Sequence, residues 1–233
     1  PLVDDSGLVT TSSTSGTGAT ATVRRAVMVA GNPLHAEERS TLGGETTSAQ
    51  SWIDITGQEW KSIDAYGTVT TSEFDPDTGR VTTSTDRTAK GEERTTAYTY
   101  TTSGDVRTVA IDGATIVTYT YDDSGRRVGA AYANGTTMAI AFDATSRVAS
   151  RTYTFADGST ARDALTYSPS GRRLSHSITG PDGTATFDYE YNRDGRLIDT
   201  RATGTLAMSA TRWQFDYAGP EGAAGDRAAQ TVT

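Results

Sequence analysis

One feature constrains this chain more than any other: an aromatic residue, a short turn, a glycine and an arginine recur at nearly fixed spacing. The clearest copy is Tyr121-Asp122-Asp123-Ser124-Gly125-Arg126. Related copies begin at Phe74 (with Asp75, Gly79 and Arg80), Tyr100 (Gly104), Phe142 (Asp143, Arg147), Tyr167 (Gly171, Arg172), Tyr191 (Gly195, Arg196) and Phe215 (Asp216). Successive aromatics lie 26, 21, 21, 25, 24 and 24 residues apart, and a weaker copy starts at Ile53. A fixed period of this size marks a repeat architecture, in which each unit needs its neighbours to be stable.

A second set of turn residues falls between these copies: Gly67, Lys90-Gly91, Asp112-Gly113, Asn134-Gly135, Asp157-Gly158, Asp182-Gly183 and Thr203-Gly204. The intervals leave room for about 6–8 residues per connecting run, a normal strand length. An Asp at the first turn position and a Gly at the fourth suit a type I turn, whereas Asn-Gly and Asp-Gly suit a two-residue type I′ turn. The pattern therefore predicts two turn styles in alternation. Aromatic residues two apart, as in Tyr119/Tyr121 and Phe187/Tyr189/Tyr191, place their rings on one strand face. β-branched residues and glycines interrupt every candidate helix. The expected fold is all-β, a long antiparallel β-meander.

Composition supports this. Threonine is roughly a fifth of the chain, and 11 of 19 aromatics are Tyr, types that fit a half-wet pleated surface. Net charge is −8 with no basic stripe, which argues against a nucleic-acid partner. With no cysteine there are neither disulfides nor thiolate metal sites, and no apolar run is long enough to span a membrane. Residues 1–22 read as a Ser/Thr/Gly-rich linker or irregular strands, and residues 23–233 as one repeat β-sheet domain with clear repeats about 52–217. A start at Pro1 suggests a processed chain or an excised piece of a longer shell. A broad open sheet curls or splits, and its bare edges need covering, here by further repeats.

The aromatic-Asp-x-x-Gly-Arg pattern resembles that of the YD-repeat, or Rhs-repeat, family. The copy at Tyr167 carries Ser168 where the family has Asp, and the copy at Tyr191 carries Asn192. Thr101 and Asp105 replace the Asp and Arg after Tyr100, and Ser146 replaces the Gly before Arg147. The resemblance implies a curved sheet of YD repeats forming part of a hollow β-shell. Family members include Rhs polymorphic toxins, cocoon components of insecticidal toxin complexes and teneurin extracellular regions. The family's self-cleaving segment carries a D-P-x-G-L element, and Asp75-Pro76 is followed by a different sequence. No catalytic residue is carried over.

Bottom-up, the acidic residues read as turn formers, since neither a calcium nonapeptide nor an EF-hand spacing occurs. His35 and His176, the two histidines, have no second ligand at metal spacing. The adjacent acidic pairs point to opposite strand faces, which is poor geometry for glycoside hydrolysis. The expectation is therefore a structural role without enzymatic activity, cofactor or metal. The chain would be a segment of an encapsulating scaffold in a large secreted or surface-exposed bacterial protein, enclosing or presenting a terminal toxin domain. Its partners would be flanking repeats and that enclosed domain. The alternative is an adhesive surface module binding carbohydrate, such as cell-surface glycans, or a receptor. The repeat arginines are expected to lie against rings or to pair with turn carboxylates.

Overall fold

A computed structural model describes residues 9–16, 19–206, 211–217 and 229–233. The chain divides into two compact units, Pro1–Ile116 and Val117–Thr233. The first holds β1 (Val9–Gly16), β2 (Ala19–Ala26), β3 (His35–Leu42), β4 (Glu45–Ile53), β5 (Glu59–Ile63), β6 (Val69–Phe74), β7 (Val81–Arg87), β8 (Glu93–Tyr100) and β9 (Val106–Ile111). In the second, β10 (Ala114–Tyr121) leads into β11 (Arg127–Tyr132), β12 (Thr137–Phe142), β13 (Val148–Thr154), β14 (Thr160–Tyr167) and β15 (Arg173–Gly180). It continues through β16 (Gly183–Tyr191), β17 (Leu197–Gly204), β18 (Arg212–Asp216) and β19 (Ala229–Val232). No helix occurs among the described residues, so none is long and apolar enough to cross a membrane. Within each unit every strand pairs antiparallel with its neighbour in sequence, as a meander requires. β1 and β2, inside the Ser/Thr/Gly-rich start, pair in unbroken register from Val9↔Ala26 to Gly16↔Ala19.

Register fixes which side chains share a face, because directly paired residues project the same way. In the second unit one face carries Tyr119, Ala130, Met138, Tyr153, Leu165, His176, Phe187 and Trp213. Thr118, Thr120, Ala131, Thr137, Thr152, Thr166 and Ser175 carry the other. The first unit divides in the same manner. Phe74, Tyr98, Tyr100 and Val109 lie on one side, and Thr71, Thr85, Thr95, Thr99 and Thr108 on the other. The hydroxyl side is stitched across strands, for example Thr85 to Thr95 at 3.0 Å and Thr99 to Thr108 at 2.6 Å. Threonine is thus abundant because half of every strand faces a wet surface that still rewards β-branching.

The core is thin. Among the described residues the buried apolar side chains are Ala26, Val117, Ala130, Met138, Leu165, Ala185 and Ala202, and no large side chain is fully buried. Ladder hydrogen bonds and cross-strand contacts must therefore carry more of the stability than in a two-layer domain.

Two expectations about turns are corrected. Asn134-Gly135 and Asp157-Gly158 do not form type I′ turns: glycine alone has positive φ at each (81° and 83°). Gly135 N donates to Tyr132 O, and Tyr132 N to Thr136 O, the same three-residue loop found at Asp122–Gly125. The cause is the side chain: Asn134 Oδ1 accepts the Thr136 amide at 3.0 Å and Asp157 Oδ1 the Ser159 amide at 2.8 Å. These local bonds compete successfully with the left-handed conformation that a type I′ turn demands. Two-residue turns with both φ positive occur at Gly43-Gly44 and Asp112-Gly113. The second correction is Gly204, which ends β17 opposite Ala185 instead of occupying a turn. A Cβ there would meet Thr184 O at 2.1 Å, so the close backbone approach explains the glycine.

An aspartate–arginine–ring ladder as the candidate functional site

Each repeat turn is built from its first residue. Asp122 Oδ1 accepts the amides of Ser124 (3.0 Å) and Arg126 (2.9 Å), while Oδ2 accepts Arg126 Nε at 2.8 Å. Asp143 repeats the set with Thr145, Arg147 and Arg147 Nε at 2.8, 2.9 and 2.7 Å. Both carboxyls are held below the usual carboxylate range. For Asp122 the Arg126 side-chain bond contributes most, and for Asp143 the Arg147 amide. The pairing register slips where each repeat's aromatic or Ile53 meets its turn, at Ile53, Phe74, Tyr100, Tyr121, Phe142, Tyr167 and Tyr191. These irregularities re-aim the ring beside the turn.

From this base the arginine reaches into the next repeat. Arg126 lies 4.4 Å from the Phe142 ring centroid and Arg147 4.7 Å from that of Tyr167. Arg126 also donates to Ser146 Oγ at 2.8 Å, and Arg147 to Ser168 O at 2.9 Å. The ring answers in the opposite direction. Tyr100 donates its hydroxyl to Val81 O, Tyr167 to Val148 O and Tyr191 to Arg173 O, at 2.6, 3.0 and 2.8 Å. Consecutive repeats are therefore joined twice outside the backbone ladder. A cation–π contact contributes about 0.5–1 kcal/mol at an exposed site.

The ladder has two forms. Where a compact Asp turn grips the guanidinium, the ring distance is short, as at Arg126 and Arg147. Where Ser168 or Asn192 replaces Asp, Arg172 sits 5.8 Å from Tyr191 and Arg196 5.6 Å from Tyr217. The Phe74 turn has one extra residue, its Gly79 amide donating to Asp75 O, and Arg80 likewise sits 5.7 Å from Tyr100. Arg80 and Arg172 lodge against the next turn. A Cβ on Gly104 or Gly195 would fall 2.0 or 1.9 Å from their guanidinium nitrogens.

The remaining predicted positions are placed as follows. Thr101 Oγ1 accepts the Asp105 amide at 3.1 Å, replacing the aspartate cap in the Tyr100–Gly104 turn. Tyr121 ends β10 opposite Arg127. Gly125 and Gly171 supply the positive φ their turns need. Phe215 and Asp216 lie in β18, but the ring that Arg196 covers is Tyr217. The side chain of Asp216 and the Ala218-Gly219 turn after it lie outside the described residues.

Other groups emerge only with the register. Gln58 follows Gly57 as the arginines follow their turns, and its Nε2 donates to Gly79 O at 2.7 Å. His35 stacks on Trp52 at 4.2 Å and bonds Gln50, with Lys61 4.6 Å from the same Trp52 ring. His176 bonds Asp163, which also accepts from Arg151. Asp199 is buried between Arg201 and Arg212. Gln58 could have been found from its place after a turn glycine. The clusters could not, since their members are far apart in sequence and meet only through strand pairing. Among the described residues no three metal-ligating side chains converge.

No protein-family model matches the chain, and no curated protein does. Solved structures do. The chain resembles a chain in the crystal structure of TcdB2-TccC3-Cdc42, with TM-score 0.70, 14% identity and 84% of this chain covered. It also resembles one in the Photorhabdus luminescens Tc holotoxin pore carrying the TccC3 mutation D651A, with TM-score 0.67 at the same identity and coverage. The matched region is 12% of each of those longer chains. At this identity the likeness concerns the fold.

Proposed function

We propose that this chain is a stretch of wall from a YD-repeat shell, secreted or displayed by a bacterium, whose role is mechanical enclosure of a terminal toxin domain. The observation that carries the reading is the ladder itself. Its shared chemistry is spent on turns and on joining each repeat to the next, with the carboxylates occupied by amides and guanidinium groups. The thin core supports it, because such a sheet gains stability by extension along the repeats. The fold likeness to chains of toxin complexes agrees with this role. Flanking repeats and the enclosed domain are the partners on this reading, and neither a catalytic group nor a cofactor is required.

The test is limited proteolysis of the terminal domain in the intact parent protein, compared with a form lacking these repeats. Enclosure predicts protection in the intact form and rapid cleavage in the shortened one. Equal cleavage in both would remove the case for a shell.

A further inference from the structure

The Ser168 turn leaves a charge without its partner. In the two compact Asp turns the guanidinium is neutralised by its own carboxylate, at 2.7 Å for Arg126 and for Arg147. Ser168 Oγ instead accepts the Arg172 amide at 3.1 Å and bonds Ser170 Oγ at 2.9 Å. No carboxylate pairs with Arg172 among the described residues, and the Tyr191 ring is its remaining contact across the repeat. This guanidinium borders a cavity of about 400 Å³. Tyr189, Tyr191 and Leu174 form apolar walls, and Ser168 and Ser170 bring hydroxyls to the same space. Glu190 also borders it, but its carboxylate bonds Arg201 at 3.5 Å.

We propose that this notch binds a carboxylate-bearing sugar of the uronate class. The missing aspartate defines what the ligand must supply: a planar anion that a guanidinium can grip through two parallel N–H bonds. The walls define the rest. An apolar surface flanked by hydroxyl groups accommodates a sugar ring, whose C–H face packs on Tyr189 or Leu174 while its hydroxyls meet Ser168 and Ser170. Small-ligand sites share this composition, mostly apolar with a few convergent polar groups. The inference does not depend on the shell reading, since it compares equivalent positions within one molecule.

The experiment titrates the whole ¹⁵N-labelled chain with glucuronate at low ionic strength, following amide shifts at Arg172, Tyr189 and Tyr191. Glucose, acetate and a glutamate-rich peptide are the comparison ligands. Saturable binding of glucuronate is expected, at least tenfold tighter than each of the other three. Arg172→Gln is expected to weaken it at least tenfold. Ser168→Asp is expected to do the same by restoring the internal carboxylate, with the fold retained. This variant also keeps the question decidable if Arg172→Gln does not fold. Unchanged affinity in Ser168→Asp, or binding of acetate or the peptide as tight as that of glucuronate, would overturn the proposal, as would the absence of saturation.

Discussion

The Asp122 and Asp143 turns and the Ser168 and Asn192 turns share one backbone and differ in how their arginines are held. All four place an amide of the residue after the turn on a side-chain oxygen of the first residue, at 2.9, 2.9, 3.1 and 2.9 Å. The turn therefore needs only an oxygen, which Asp, Ser and Asn all supply. The short approach of arginine to ring, 4.4 and 4.7 Å against 5.8 and 5.6 Å, needs a carboxylate. Shape and charge are separable at this position. The family pattern drifts where only shape is required.

Acid breaks this comparison most strongly. The carboxyls of Asp122 and Asp143 are depressed in the folded chain, so their stabilisation is complete above the unfolded carboxylate pKa, near pH 4, and is lost as pH falls through the folded value. Asp54, Asp64, Asp75 and Asp157 are depressed in the same sense, chiefly by bonds from Thr56, Thr68, Thr78 and Ser159. Denaturant midpoints should drop steeply between about pH 4 and about pH 2. Hydrogen exchange sharpens the point. The Arg126 and Arg147 amides should lose protection over that range relative to Arg172 and Arg196, whose acceptors carry no charge. A parallel loss at all four would show that global unfolding, and not local titration, governs the acid limb.

Glycine substitution gives the next largest effect. Gly125 and Gly195 both have left-handed φ, 76° and 84°, so an alanine at either costs about 1–2 kcal/mol. A Cβ at 125 meets nothing within 4 Å, whereas one at 195 meets Arg172 at 1.9 Å. Gly195→Ala should therefore be the costlier, about 2–3 kcal/mol by chemical denaturation. The excess should vanish in an Arg172→Ala background. Equal costs at the two glycines would mean that Arg172 does not lodge there.

Ring hydroxyls come third. Tyr167→Phe removes the bond to Val148 O and should cost about 1 kcal/mol. At the equivalent place Phe142 has no hydroxyl, and Phe142→Tyr should gain at most about 1 kcal/mol by reaching the carbonyl of Arg127. Denaturant midpoints of both variants test the pair. A loss at 167 with no gain at 142 would mean the Phe142 ring is positioned by Arg126 alone.

Much of this was legible in the sequence, and the reasons are specific. Ring, glycine and arginine spacing located the repeats because a turn leaves a strong local trace. The threonine excess indicated one wet face. Asn134 misled because its dipeptide with Gly135 favours a type I′ turn in isolation, while its side chain, bonding Thr136, selects another loop. Gly204 misled because a crowded strand end and a turn both call for glycine. Arg196 was visible as a repeat residue, but its ring was counted from Phe215 and proved to be Tyr217. That choice depends on where β18 ends, which spacing does not encode. The Asp163–His176 and Asp199–Arg212 pairs needed strand register.

The smallest expected effect is at Ser146, and it is informative because two contributions oppose. Ser146 holds φ 64° where the equivalent turns use glycine, a strain of about 1 kcal/mol or more. Its hydroxyl accepts from Arg126 at 2.8 Å, a bond of similar size, about 1 kcal/mol. Ser146→Gly relieves the strain and deletes the bond, while glycine adds freedom to the unfolded chain. The midpoint should stay within about 0.5 kcal/mol of the parent. Ser146→Ala deletes the bond and keeps the strain, so it should lose about 1 kcal/mol. A clear gain in Ser146→Gly would mean the hydroxyl contributes nothing to holding Arg126, and that Asp122 alone sets the short ring distance.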